Sequence, residues 1–322
     1  MKILFLGTDG LDTWEPHIEE HEIAFVNLYE ETELYPERYA WFWAKAKVFE
    51  SFTMAMDIFK PQIGAIGVAN FRKNRPNAEI DLLHAGADLY VYKFRLADYG
   101  YFEEILRTAA QSGRRVLIGE QYRHLPEVRA ARQVIESGYI GIPELIFWDC
   151  SLDLQDLCEW EKSYTYLAVE DLALHHFSAL ESVIGFDVRE VYAKLLSPVK
   201  SRPITGSAEI STITFKNGVV LSHIINWHNS GRDTSYFGEV SIEGEKGAVI
   251  INPAGVKKKL WGQPEQAVPV GGEAFDPVRA ALEIFENGKK MSEPPDIERF
   301  AKIIRTIAAA VDSSENKRVV FL

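Results

Sequence analysis

The 322-residue sequence has few cysteines, no excess of positive charge and no long apolar run. Two cysteines, Cys150 and Cys158, cannot form a disulfide framework, so the reducing cytoplasm is the expected compartment. A net charge of -12 at pH 7 argues against nucleic acid and anionic membrane surfaces as partners. No apolar run reaches the roughly 18 residues of a membrane span, and the opening run KILFLG is too short for a signal peptide. These absences leave an ordinary globular protein as the expectation.

The first part of the chain alternates short apolar runs with segments of helical periodicity. Such alternation predicts a parallel sheet covered on both sides, a doubly wound α/β domain of Rossmann type. The predicted strands are 2–7, 22–28, 62–69, 88–92 and 114–119, and the predicted helices are 14–20, 36–59, 77–85 and 99–112.

The pattern changes after residue 122. Two helices, 124–137 and 168–184, precede consecutive strands, and Lys216-Asn217-Gly218 is a strong hairpin signal because Asn-Gly accepts positive φ angles. We predict a Rossmann-type domain over 1–122 and, over 123–322, an α/β domain with a large open, mostly antiparallel sheet. Its predicted elements are strands 188–196, 207–216, 219–228, 236–243, 247–251 and 317–322, with a closing helix at 297–311.

Two features of the sequence indicate candidate catalytic residues. Asp171 and His175 are four residues apart in a helical run, so both side chains can lie on one face, where a carboxylate and an imidazole can move a proton near neutral pH. Lys93 ends a predicted strand at the edge where such sheets bind ligands. The alternative interpretations are a hydrogen-bonded histidine on a buried helix and a lysine whose stem packs on the protein while its charge stays in water.

Several motifs, taken in order, resemble the glucose–fructose oxidoreductase/inositol 2-dehydrogenase (Gfo/Idh/MocA) family over nearly the whole chain. The matching segments are His84–Lys93 (HAGADLYVYK) for A-G-x-x-V-x-x-E-K-P, Ile118 to Pro126 for the domain crossover, Ser137–Gly141 (SGYIG) for G-x-I-G, Asp171–Gly185 for the D-x-x-x-H-x-x-D…G helix, and Ser313–Val319 for S-x-x-x-x-x-V.

This resemblance implies an NAD(P)-dependent oxidoreductase that transfers a hydride to or from a sugar- or polyol-like alcohol. It implies that His175 is the base, that Asp171 assists it, and that Lys93 steadies the developing alkoxide. The implied cofactor, NAD or NADP, would be held by Gly7, Thr8, Asp9, Gly10, Asn70 and Lys93.

The cofactor loop departs from the G-x-G-x-x-G pattern of such folds. It is Gly7-Thr8-Asp9-Gly10, and the carboxylate of Asp9 would repel the diphosphate. Pro16 removes one N–H donor from the short helix that follows. Phe94 replaces the proline of the Glu-Lys-Pro triplet. We therefore predict weak cofactor binding.

Aromatic and hydrogen-bonding side chains suit a sugar ring. The candidate substrate residues are Arg123, Trp148, Tyr166, His228 and Arg232. The histidines and Asp171 match no metal-ligand spacing, so we expect no metal.

Two other functions are compatible with these residues. The first is a non-catalytic family member that has lost efficient cofactor binding and recognises a ligand or a partner. The second is a glycoside hydrolase assisted by bound NAD. In each case an open sheet with one uncovered face predicts a homodimer or a homotetramer.

Overall fold

A computed structural model describes residues 1–28, 36–69, 77–94, 99–153, 164–197, 206–229, 231, 233–288 and 294–322, without the side chains of 68, 69, 93 and 94. The chain forms two compact units. The first comprises Met1–Glu120 with Asp276–Ala301, and the second comprises Gln121–Phe275 with Lys302–Leu322. The first crossing lies close to the predicted boundary at 122/123, but the return of Asp276–Ala301 to the first unit was not predicted.

The first unit is built on a six-stranded, fully parallel sheet of order β3-β2-β1-β4-β5-β6. The predicted Rossmann-type sheet is confirmed, and its strand order reverses beside β1 and β4, which defines a topological switch point. Its strands are β1 (Lys2–Leu6), β2 (Glu22–Val26), β3 (Lys47–Phe49), β4 (Ile63–Ala69), β5 (Asp88–Phe94) and β6 (Val116–Ile118). Its helices are α1 (Ala40–Trp43), α2 (Phe52–Met54), α3 (Ala78–His84), α4 (Tyr99–Ser112) and α7 (Pro277–Asn287), with a 3₁₀ helix at Leu11–His17 and a π-helical turn at Ala55–Phe59.

The predicted long helix over 36–59 is wrong. The segment contains α1, the strand β3 and α2 instead, because Lys47–Phe49 pairs with β2 and extends the sheet. The aromatic run at its start is a packed face, since Phe42 is fully buried and its ring lies 5.1 Å from that of Phe5. Tertiary pairing has overridden the local helical pattern here.

The helix α7 explains why the chain returns to the first unit. Its apolar face places Val278, Ala281 and Leu282 in the hydrophobic cluster that also contains Ile3 and Trp14. Burial of apolar side chains is the main favourable contribution to folding, so this face fixes the helix to the first unit although it is distant in sequence.

The second unit is built on a nine-stranded sheet of order β14-β13-β12-β11-β7-β10-β9-β8-β15. All neighbours are antiparallel except β7 and β10, so the prediction of a mostly antiparallel sheet is confirmed. The strands are β7 (Pro143–Ser151), β8 (Val188–Leu196), β9 (Ala208–Phe215), β10 (Val220–Asn226), β11 (Glu239–Gly244), β12 (Gly247–Asn252), β13 (Gly255–Leu260), β14 (Gln266–Val268) and β15 (Val320–Phe321). Of these, β14 was not predicted, and no bounds were predicted for β7 and β13.

The helices of the second unit are α5 (Pro126–Glu136), α6 (Leu174–Ile184) and the C-terminal α8 (Ile297–Asn316), whose first residues belong to the first unit. The Asn217-Gly218 hairpin joins β9 to β10 as predicted, with Gly218 at φ 93°. In the described part of the chain, no helix is long and apolar enough to cross a membrane.

Candidate functional site

The pair Asp171 and His175 lies at a junction between two helical geometries. The helix predicted over 168–184 is a regular α-helix only from Leu174 onward. Its first six residues, Ala168–Ala173, form a π-helical turn that leads into α6. The carboxylate of Glu170 accepts the backbone N–H of Tyr166 at 2.8 Å and so stabilises the start of this turn. Such π-helical segments occur often at functional sites. Asp171 is 2% exposed, whereas His175 is half-buried.

Tyr122 is the aromatic partner of His175. It opens a 3₁₀ helix at Tyr122–His124, and its ring stacks on the imidazole with centroids 4.8 Å apart and planes 25° apart. The rings of Tyr236 and Phe237 lie 6.3 Å and 5.8 Å from that of Tyr122. Sequence reasoning missed Tyr122 as a site residue, although it lies inside the crossover segment that carried the family resemblance.

A cavity of about 420 Å³ opens beside Tyr122 within the second unit. Its volume is in the range of small-molecule sites. Aromatic rings form part of the wall, Glu127 supplies a carboxylate, and Asn252 and Ser235 supply hydrogen-bonding groups. Among the described residues that line it there is no lysine, arginine or histidine, so its chemistry suits an uncharged polar ligand better than an anion.

Arg123 and Trp148, two predicted substrate residues, have partners inside the second unit. Arg123 is fully buried, and its guanidinium lies 2.8 Å from the carboxylate of Glu181. Trp148 is 2% exposed, donates its indole N–H to the carbonyl of Phe237 at 2.9 Å, and stacks on His176. Both side chains are therefore buried behind the residues that line the site, and their contacts hold those residues in place.

Tyr166 and His228 are half-buried in the second unit. The hydroxyl of Tyr166 donates to Glu315 at 2.6 Å, and this hydrogen bond, with partial burial, raises the pKa of Tyr166 to about 12. His228 forms an isolated bridge with Asp153. Arg232 and Asn70 lie outside the described residues. Lys93 is in β5, opposite Val68, and its side chain lies outside the description.

The predicted cofactor loop is compact. Gly7 and Gly10 have φ angles of 96° and 74°, Thr8 is buried, and Asp9 is exposed. A Cβ at Gly10 would overlap the ring of Tyr92, so packing within the first unit already requires this glycine. The predicted helix at 14–20 is instead the 3₁₀ helix over Leu11–His17.

Two backbone donors of this loop are already used. The N–H groups of Leu11 and Thr13 donate to the carbonyls of Thr8 and Gly10, at 3.1 Å and 3.0 Å. A dinucleotide diphosphate is normally held by free N–H groups at a helix N-terminus. The N–H groups of Leu11 and Thr13 are therefore engaged within the loop and are not available to a diphosphate.

Among the described residues, no three acidic, histidine or cysteine side chains are grouped so as to hold a metal ion.

These features define a class of protein: a Rossmann-type unit, and a second unit with an open mixed sheet and a helix that carries a histidine–carboxylate pair. Residues 128–250 match the sequence model of the GFO/IDH/MocA C-terminal domain. This part of the second unit is therefore similar to that domain, in agreement with the sequence motifs. No curated protein matches the sequence.

Solved structures share the fold over the whole chain. A candidate oxidoreductase from Thermotoga maritima has a TM-score of 0.83 and 16% identity, with 100% of both chains covered. The WlbA dehydrogenase from Chromobacterium violaceum, solved with NADH and UDP-GlcNAcA, has a TM-score of 0.79 and 14% identity, covering 100% of this chain and 96% of that one. An aldose-aldose oxidoreductase from Caulobacter crescentus, complexed with glycerol, has a TM-score of 0.78 and 18% identity, with coverages of 100% and 99%. At these identities the matches establish a common fold.

Proposed function

We propose that the protein is an NAD(P)-dependent oxidoreductase that acts on a sugar- or polyol-like alcohol. The observation that carries this proposal is the half-buried His175, four residues after the buried Asp171 in a family C-terminal domain and stacked on Tyr122. The dehydrogenase and the aldose-aldose oxidoreductase of the same fold lend it support.

In this proposal His175 takes the proton of the substrate hydroxyl, and Asp171 orients the imidazole or binds a neighbouring hydroxyl. Lys93, near the end of β5, supplies the positive charge that steadies the alkoxide. The stack on Tyr122 holds the imidazole plane and excludes water from one of its faces. Arg123 contributes through its ion pair with Glu181, which fixes the Tyr122–His124 helix against α6.

The cofactor would lie along the carboxyl edge of the first sheet, at the switch point beside β1 and β4. Gly7, Thr8, Asp9 and Gly10 would face its diphosphate, and the family resemblance assigns Asn70 and Lys93 to the same cofactor. When bound, it accepts or donates the hydride. The exposed carboxylate of Asp9 and the engaged N–H groups of Leu11 and Thr13 support weak binding.

A second candidate function is favoured by the same loop. A non-catalytic protein that has lost efficient cofactor binding could keep the cavity beside Tyr122 for a ligand. The seven-residue 3₁₀ helix and the contact between Gly10 and Tyr92 favour this alternative. Glycoside hydrolysis assisted by bound NAD would need tight cofactor retention, which this loop does not favour.

We also propose that the protein is a homodimer or a homotetramer. The sheet of the second unit exposes Phe147, Tyr192 and Ile210 to about half of their full surface, at 46%, 49% and 51%. Exposed apolar groups on three strands of one sheet favour self-association. Light scattering should give a multiple of 36.5 kDa, and a monomer over a wide concentration range would contradict this proposal.

The catalytic proposal is tested by replacing His175 with alanine. With NAD(P) and a panel of neutral sugars and polyols, cofactor reduction by the wild-type protein should be measurable. His175→Ala should lower its rate by roughly 10²–10⁴ with little change in thermal stability. His84→Ala, an exposed histidine of the first unit, is the matched control and should leave the rate unchanged. If His175→Ala instead lowers stability and leaves the rate intact, His175 is a structural residue.

A further inference from the structure

Three fully buried titratable side chains lie in a line in the second unit, and the proposed reaction uses none of them. They are Glu209 on β9, His223 on β10 and His176 on α6, each 0% exposed. His223 Nδ1 is 3.2 Å from Glu209 Oε2, and His223 Nε2 is 2.9 Å from His176 Nδ1. Burying a charged carboxylate and two imidazoles is costly, so the arrangement calls for an explanation.

Apolar rings enclose this line. Trp148 stacks on His176, with centroids 4.4 Å and planes 22° apart, and Phe177 lies 5.1 Å from His223. In apolar surroundings a hydrogen bond is stronger than in water, and a misdirected or missing one costs more free energy.

His176 faces titratable groups from three elements. They are His223 from β10, the adjacent His175 from its own helix, and Tyr122, whose ring is 6.2 Å away. Glu209 acts on His176 through His223. The line therefore ends beside the same tyrosine that stacks on His175.

The charge of Glu209 decides which nitrogen of each histidine carries the proton. An ionised carboxylate requires the Nδ1–H of His223 to face it, because a lone pair there would be repelled. His223 Nε2 then accepts the Nδ1–H of His176. His176 Nε2 is consequently left without a proton, and it has no hydrogen-bond partner among the described residues. His223 Nδ1 and Glu209 Oε2, 3.2 Å apart, are in ion-pair contact but do not meet hydrogen-bond geometry in this structure.

One added proton can be placed in three ways: as an imidazolium at His176, as an imidazolium at His223, or on Glu209. If His223 is the imidazolium, its Nε2–H donates to His176 Nδ1, and neutral His176 carries its proton on Nε2. If Glu209 is protonated, both imidazoles exchange tautomers, and His176 again carries its proton on Nε2. In all three arrangements the added proton produces an N–H bond at His176 Nε2.

We propose that Glu209, His223 and His176 are a buried proton relay that acts as one base, with His176 Nε2 as the atom where a proton enters and leaves. On uptake an N–H bond forms at Nε2, the Nδ1 proton passes to His223 Nε2, and the net charge of the three groups changes from -1 to zero. No electrons are transferred. The role rests on the proposed function in one respect: alcohol oxidation releases a proton, and the relay offers it a place next to His175.

Burial supports this assignment of the resting state. Desolvation, with the charges of His223 and His175, holds the pKa of His176 well below its ordinary value. His176 is therefore neutral near neutral pH, and its contact with His223 decides which of its two nitrogens carries the single proton.

The test is the tautomer of His176, measured on the full chain labelled with ¹⁵N-histidine. Long-range ¹H–¹⁵N correlation near neutral pH should show His176 and His223 protonated at Nδ1 and unprotonated at Nε2, with assignment by single-histidine variants. Glu209→Gln should convert His176 to a mixture of tautomers, although Glu209 reaches His176 only through His223. His84→Gln is the control and should change only its own signals.

His223→Phe keeps a ring among the aromatic side chains but breaks the line, so it should also release the tautomer of His176. A protonated Nε2 in wild-type His176, or a His176 signal unchanged by both relay substitutions, would overturn the proposal. The wild-type spectrum is decisive even if a variant does not fold. The experiment needs neither cofactor nor substrate, so its failure is distinguishable from failure of the proposed function.

Discussion

Replacement of Arg123 with methionine tests whether this residue supports the site from within the fold. The guanidinium is fully buried, lies 2.8 Å from Glu181 and reaches the hydroxyl of Ser178 at 3.4 Å. Glu181 is 9% exposed, so the substitution removes a guanidinium from direct contact with a largely buried carboxylate. Methionine has a similar unbranched stem and cannot compensate that charge.

The expected loss is large because the pair is buried. Removing one partner of such a pair typically costs about 3–5 kcal/mol, and a unit of this size loses about 2–4 °C in Tm per kcal/mol. We therefore expect the transition of the second unit to fall by roughly 10 °C. The double variant Arg123→Met/Glu181→Leu should recover much of the loss, because no unpaired charge remains.

Thermal unfolding followed by calorimetry and tryptophan fluorescence measures this effect. Lys302→Met is the matched control: Lys302 lies 2.7 Å from Asp187 in the same unit, but the two side chains are 48% and 65% exposed. Such surface pairs contribute at most about 1 kcal/mol. If Arg123→Met lowers Tm no more than Lys302→Met does, or if the double variant is the least stable, the structural role of Arg123 is refuted.

Three further predictions follow from buried or constrained positions. Burial raises the pKa of the Cys150 thiol to about 12. In a Cys158→Ser variant the native protein should therefore not react with thiol reagents near pH 8, and fast labelling of Cys150 would contradict this. His176 has a lowered pKa in the folded state, so as the pH falls below about 6.5 the unfolded chain takes up a proton at this residue before the folded chain does. The free energy of unfolding should therefore fall by up to about 1.4 kcal/mol per pH unit until the folded chain is protonated as well, and His176→Phe should flatten the curve measured by denaturant titration. Gly10→Ala should lower the free energy of unfolding by about 1–3 kcal/mol, and by more than Gly113→Ala does. Both glycines have a positive φ, but only a Cβ at Gly10 would overlap a ring, that of Tyr92. Equal losses of the two variants on chemical denaturation would show that this overlap is relieved.

The parts of the fold that sequence could predict are those with strong local patterns. The parallel strands of the first unit are continuous apolar runs, and the hairpin at Asn217-Gly218 has turn residues that allow only a few geometries. The strand β3 was missed because Lys47–Phe49 is short and is defined by its pairing with β2. The helix α7 was missed as a part of the first unit because its place depends on the cluster around Val278.

The candidate site was predictable where chemistry and family motif coincide, at Asp171 and His175. The stack of Tyr122 on His175 was not predictable, since ring orientation depends on packing between elements distant in sequence. Arg123 and Trp148 were expected at a substrate surface because of their side-chain types, but those types are also common in buried ion pairs and aromatic cores. The relay residues Glu209 and His223 meet only through the pairing of β9 with β10.

The most direct test of the account is a titration of the protein with NADH and NADPH, followed by the fluorescence of the reduced nicotinamide. The account predicts weak but saturable binding of one or both. Asp9→Gly should tighten it by about tenfold, which corresponds to roughly 1.4 kcal/mol, because a negative charge next to the diphosphate is removed. Asp9→Asn separates the effect of the charge from that of the side-chain volume. Absence of saturable binding in the wild-type protein and in both variants would contradict the oxidoreductase proposal and favour the non-catalytic alternative.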